Sequence, residues 1–99
     1  MEQMTQKFYV YILCNRYRNV IYVGCTDDLR KRIYFHKKRF ISGFTKKYNV
    51  DRLVYYEQYS NLDDAMRRES QIKKYRREKK NTLVESENSN WYDLYAQIR

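Results

Sequence analysis

Apolar positions follow two rhythms along this chain, one continuous and β-branched, the other spaced by helical turns. Phe8-Tyr9-Val10-Tyr11-Ile12-Leu13-Cys14 is apolar and aromatic throughout and predicts a strand. Asn15 to Asn19 is polar and turn-like, without the Asn-Gly signature of a tight hairpin. Val20-Ile21-Tyr22-Val23 predicts a second strand, ended by Gly24, and the two strands pair as an antiparallel hairpin. Tyr11 and Tyr22 then share a face in one register; a one-residue slip separates them. From Thr26, which can cap a helix, the spacing changes to a helical one over about Asp27 to Arg39, with Asp27 and Asp28 in the first turn. Its stripe is Leu29, Ile33 and Phe40, and Arg32 and His36 fall on the same side. Ile41 to Asp51 reads as a loop with Ser42-Gly43 and Lys46-Lys47. Leu53-Val54-Tyr55-Tyr56-Glu57 predicts a third strand. Asn61 or Ser60 caps a long helix with stripe residues Leu62, Ala65, Met66 and Ile72, and Glu69 lies among them. That helix ends in the basic stretch Lys73 to Lys80; Thr82-Leu83-Val84 prolongs it or starts a short new one. A polar link from Glu85 to Asn90 leads to Trp91-Tyr92-Asp93-Leu94-Tyr95, a packing tail.

Length and charge narrow this picture. The 99 residues make a single domain, 1–99, with a polar tail at 1–6 and a C-terminal packing segment at 85–99. Lys and Arg number 21 against 12 Asp and Glu, a net +9 that favours a polyanionic partner. There are 12 tyrosines against 4 phenylalanines and 1 tryptophan, so most aromatic contacts must carry a polar tip. Cys14 and Cys25 form no CxxC and His36 is the single histidine, which argues against a zinc site of the usual ligands and for a reduced, cytoplasmic setting. No signal-like or membrane-spanning run is present. The basic helices carry core-forming stripes, which disfavours a membrane-surface role.

Charged groups on apolar stripes carry the candidate chemistry. Burying Arg32, His36 or Glu69 costs several kcal/mol each unless something compensates. Each has a plainer explanation: Glu69 as an ion pair, Arg32 as a packed stem with a wet head, His36 as a satisfied core histidine, the tyrosines as sheet aromatics. Taken together they read as a one-metal phosphodiester-cleaving site, Glu69 holding Mg²⁺ and Arg32 gripping a phosphate. The basic runs, including Lys37, Lys46, Lys47, Lys73 and Arg76, interleave with Tyr34, Phe35 and Tyr75 and point to nucleic-acid contact.

In this order, the residues resemble the GIY-YIG nuclease superfamily. Tyr9-Val10-Tyr11 stands for the first triplet and Tyr22-Val23-Gly24 for the second; Gly24 to Arg32 resembles the segment leading to the family arginine. Glu69, in Arg67-Arg68-Glu69-Ser70, falls on the metal-binding glutamate, and Asn88 resembles a late asparagine of many members, with a nucleic-acid-binding role. The nearest likeness is to short stand-alone bacterial members, with excinuclease C's nuclease domain less close. Tyr9 replaces the first glycine, Cys25 stands where a lysine is common, and Ser89 where proline is common. The resemblance implies an α+β fold, a small three-stranded antiparallel sheet flanked by helices. It implies Mg²⁺ or Mn²⁺ at Glu69, charge neutralisation by Arg32, Tyr11 as general base or water-orienting group, Tyr22 bonding water or phosphate, and His36 assisting. DNA is the implied substrate, in repair or recombination. Two other readings stay open: a nucleic-acid-binding module that does not cut, and a nuclease subunit active only with a protein partner that supplies substrate specificity. The cutting role requires the four side chains Tyr11, Tyr22, Arg32 and Glu69 to converge in space.

Overall fold

The apolar run at the start of the chain forms the central strand of a sheet covered on both faces, which explains why it does not alternate. The computed structural model describes residues 6–98. β1 (Phe8–Cys14), β2 (Ile21–Thr26) and β3 (Arg52–Tyr59) form one antiparallel sheet in the order β2-β1-β3. Val10 to Cys14 are all buried. Val10, Ile12, Cys14 and Val23 face one way, toward Ala65, Ile72, Val84 and Trp91. Tyr11 and Leu13 face the other way, with Leu29, Ile33, Val50, Leu53 and Ile98. The fold is therefore the α+β sheet flanked by helices that the sequence implies. Of the three strands read from the sequence, β1 has the bounds expected, β2 starts one residue later and ends three later, and β3 starts one residue earlier and ends two later.

The hairpin between β1 and β2 closes without glycine. Asn15 is buried, and its Oδ1 accepts the backbone N–H groups of Asn19 (3.1 Å) and Val20 (3.2 Å). Its side chain thus does what a two-residue turn would do with backbone alone. The register places Tyr11 opposite Gly24 and Leu13 opposite Tyr22, so both tyrosines share a face.

α1 spans Leu29–Lys37, shorter at both ends than read from the sequence, and Asp28 rather than Thr26 caps it, its side chain accepting Lys31 N–H at 3.1 Å. Thr26 instead accepts Asp28 N–H. Leu29, Ile33 and His36 are buried, but Arg32 is exposed and Phe40 lies 67% exposed beyond the helix end. The loop before β3 contains a short helix, α2 (Phe44–Lys47), which spacing did not reveal because four residues show no period. Gly43, at φ +102°, turns the chain into it, a conformation L side chains rarely adopt.

α3 (Leu62–Lys73) begins at Asn61, whose side chain accepts Asp64 N–H at 2.9 Å. The basic stretch does not continue it: the chain breaks at Lys74–Arg76 and α4 (Arg77–Glu87) follows. The reason is packing. At ~1.5 Å per residue, an unbroken helix would carry Val84 about 18 Å from Ile72. Both belong to one core cluster, so the chain must turn back.

The C-terminal segment is fastened to β3. Leu94 N–H donates to Leu53 C=O at 2.7 Å, and Asp93 accepts Leu53 N–H, Tyr95 N–H and the Lys37 ammonium. Asn88 is buried; its amide donates to Val54 C=O (3.0 Å) and Tyr92 C=O (2.8 Å), and its Oδ1 accepts Tyr92 N–H (3.0 Å). The Val54 carbonyl is reached at the irregularity opposite Ile12 and Leu13 in the β1–β3 register. Asn88→Ala leaves buried partners unpaired, and a urea midpoint measurement is expected to show a loss of about 1–3 kcal/mol.

Candidate functional site

Three side chains of the site touch. The Tyr11 hydroxyl lies 3.3 Å from His36 Nε2. The rings of Tyr11 and Tyr22 are 6.4 Å apart, and Tyr22 and His36 are 6.0 Å apart. Tyr22 stacks on Phe44 of α2 at 6.3 Å and 28°. Tyr11 fits because Gly24 has no side chain: a Cβ there would lie 2.4 Å from Tyr11 Cζ and 2.4 Å from its hydroxyl oxygen. The glycine that ends the second triplet therefore makes room for the tyrosine that ends the first.

Charge completes the constellation. Burial raises the Tyr11 hydroxyl well above the ordinary phenol range; Tyr22 adds to this, Arg32 opposes it and Glu69 reinforces it. Both Arg32 and Glu69 thus act electrostatically on that hydroxyl. Arg32 is exposed, and among the described residues no carboxylate pairs with it. It does not occupy the apolar stripe: it stands at the rim, where a guanidinium stays hydrated and open to an anion. An open cleft of about 520 Å³ beside it is lined by Thr26, Asp28, Lys31, Arg32, Phe35 and Ile41, among others.

Glu69 comes from α3, which packs on the sheet face opposite the tyrosines. Its side chain is partly buried, 21% exposed, and its carboxylate pairs with Lys73 one turn on at 3.3 Å. It is the largest charge acting on the Cys25 thiol of β2, which burial and Glu69 together raise. Of the stripe expected around it, Ala65 and Ile72 are buried, whereas Leu62 and Met66 are about half exposed. The neighbouring Arg68 fixes how α3 lies. It donates through Nε and a terminal nitrogen to Glu57 on β3, at 2.9 to 3.2 Å, and to Tyr75 at 3.1 Å. Tyr55 and Tyr59 donate to the same carboxylate. Burial pushes the Glu57 carboxyl up, but these hydrogen bonds outweigh it and hold it below the usual range. Sequence reading missed this network. Its signal was Tyr55, Glu57 and Tyr59 at alternate positions of one strand, with Arg68 beside Glu69.

His36 is neutral in the folded protein. Burial first, then Arg32, lower its pKa from 6.5 to about 4, against a weaker opposite pull from Asp51. Its Nδ1 lies 3.0 Å from Thr45 Oγ1, a contact also missing from the sequence reading. The unfolded chain takes up a proton as pH falls below about 6.5, while the folded site resists until about 4. The stabilisation is complete above pH 6.5 and is lost on acidification between those values, an effect on the order of 3 kcal/mol. Comparing urea midpoints at pH 7 and pH 4.5 should show a steeper acid loss for wild type than for His36→Gln.

The nucleic-acid residues divide. Lys46, Lys47, Lys73 and Arg76 are exposed. Lys37 is not available: its ammonium is held by Asp93 and the Asp51 carbonyl. Asn88 is not available either, because both ends of its amide are used within the fold. Both corrections reflect partners far along the chain that spacing does not show. Among the described residues, no helix is long and apolar enough to cross a membrane.

Comparison with known proteins bears on family and fold. The profile of the GIY-YIG catalytic domain matches residues 7–82. A UPF0213 protein of Staphylococcus haemolyticus is 38% identical over 80 residues, covering 80% of this chain and 95% of the relative. One of Clostridium perfringens is 37% identical over 78 residues, covering 79% and 83%. The solution NMR structure of a UPF0213 protein from Bacillus halodurans superposes with a TM-score of 0.56 at 30% identity, over 88% of this chain and 92% of that one.

Proposed function

The chain belongs to the GIY-YIG catalytic-domain family, and from that premise we propose that it is a divalent-metal-dependent endonuclease hydrolysing DNA phosphodiester bonds. The observation that carries this reading is the meeting of Tyr11, Tyr22 and His36 under the charges of Arg32 and Glu69. DNA repair or recombination in the cytoplasm is the setting it implies.

The residues suit one Mg²⁺ or Mn²⁺. Glu69 offers a carboxylate whose partner is a flexible, half-exposed lysine. Among the described residues no three His, Cys, Asp or Glu gather to enclose an ion. A single carboxylate, with other positions left to water and phosphate, is the donor set such ions accept. When bound, the ion supplies Lewis-acid polarisation of the scissile phosphate. Arg32, unpaired and at the cleft, holds the phosphate and offsets negative charge that builds on it. Tyr22 orients water or phosphate beside it. Tyr11 keeps its proton in the resting site, so it acts as base by relay. Attacking water bonds to phosphorus as the P–O bond to the leaving sugar breaks; the water proton passes to Tyr11, the Tyr11 proton passes to His36 Nε2, and the leaving sugar oxygen departs with the bonding pair and takes a proton from solvent. Phosphate arriving at Arg32 adds negative charge near the imidazole, which favours its protonated form.

The test is DNA cleavage by the purified protein with Mg²⁺ or Mn²⁺ across single-stranded, duplex, flap and junction forms, compared with Glu69→Ala. Inactivity of both, with salt-sensitive binding retained, would leave the non-cutting module or the partner-dependent subunit. Lys73 supplies a second measurement. Its ammonium competes with a cation for Glu69, so Lys73→Gln should tighten Mn²⁺ binding by roughly two- to fivefold, the worth of an exposed ion pair. Calorimetric titration reads this without any cleavage.

A further inference from the structure

One buried hydroxyl faces the site without a role in the scheme above. Thr45, in α2, is 5% exposed, and its Oγ1 lies 3.0 Å from His36 Nδ1, while Nε2 of the same ring lies 3.3 Å from the Tyr11 hydroxyl. Building on the cleavage reading, we propose that Thr45 is a positioning residue: it accepts the Nδ1–H of His36, leaves Nε2 bare, and aims that lone pair at the Tyr11 O–H.

A neutral imidazole carries one N–H, so one ring nitrogen donates and the other accepts. Two hydroxyls compete for the accepting nitrogen. The phenol is the stronger acid and the better donor, and the threonine hydroxyl is left to accept. The opposite tautomer would aim N–H at Tyr11, whose hydroxyl has no other hydrogen-bond partner among the described residues. It would also remove the acceptor that the relay needs. The groups facing His36 are Tyr11 from β1, Tyr22 from β2, Arg32 from its own helix and Thr45 from α2, with Asp51 of the following loop favouring the charged ring more weakly than burial and Arg32 oppose it. Thr45 is itself held, because its carbonyl accepts the N–H of fully buried Val50 at 2.9 Å.

The chain has a single histidine, so side-chain nitrogen-15 NMR of the full-length protein reads its tautomer without ambiguity. Expected is the Nδ1–H form in wild type and in Thr45→Ser, and a mixed or reversed form in Thr45→Val. In cleavage assays Thr45→Val should lower kcat by roughly ten- to a hundredfold with KM little changed, and Thr45→Ser should restore most of it. An Nε2–H tautomer in wild type overturns the proposal and needs no variant. So does a folded Thr45→Val protein whose tautomer is unchanged. If the tautomers behave as expected while no form cuts any DNA, the cleavage reading fails and the positioning of His36 by Thr45 stands.

Discussion

Glu69→Ala is expected to lower the proposed metal-dependent DNA cleavage by roughly a thousandfold, the rate equivalent of about 4 kcal/mol of lost transition-state stabilisation. Stability should change little, because the carboxylate's partner among the described residues is a half-exposed lysine. DNA binding should persist, carried by the exposed basic residues Lys46, Lys47, Lys73 and Arg76. Cleavage kinetics, a filter-binding salt titration and an unfolding curve on one preparation separate these effects. A variant that cuts as well as wild type would remove Glu69 from the metal site. One that unfolds would make it structural. Only loss of cutting with retained binding and stability agrees with the proposed role.

Gly24→Ala is expected to destabilise the fold by about 1–3 kcal/mol and to suppress the proposed cleavage at the same time. The new Cβ meets Tyr11 Cζ and its hydroxyl oxygen at 2.4 Å, closer than real carbon atoms approach. Tyr11 is 1% exposed and has little room to withdraw, so ring or strand must shift. For a domain of this size the melting temperature should fall by roughly 4–8 °C per kcal/mol. A double-mutant cycle tests the cause. In a Tyr11→Val background the clash is gone, and Gly24→Ala should then cost much less. Equal costs in both backgrounds would mean that strand conformation, rather than the tyrosine, demands the glycine.

These two positions also mark how much could be read from the linear order. The hairpin, the third strand and the helix around Glu69 were legible because period and β-branching are local properties. Tyr11 and Tyr22 were recognisable as a pair because a strand and a turn separate them. What escaped depends on distant segments. Arg32 shares a helical side with Leu29 on paper, yet the core ends short of it and the guanidinium stays in water. Lys37 looked like one more free cation in a basic helix, but Asp93, 56 residues on, claims it. Asn88 closes a loop against Val54, 34 residues back. Thr45 sits in a four-residue helix too short for a pattern, and nothing before folding shows that it meets His36.

The site draws on both sides of the sheet. Tyr11, Tyr22 and His36 gather on one face, while Glu69 arrives on a helix seated against the other, held there by Arg68 and Glu57. During synthesis the tyrosines, the arginine and the histidine leave the ribosome before that helix does. On the proposed reading, a half-made chain would lack the carboxylate, and cutting would wait until that helix has emerged and docked.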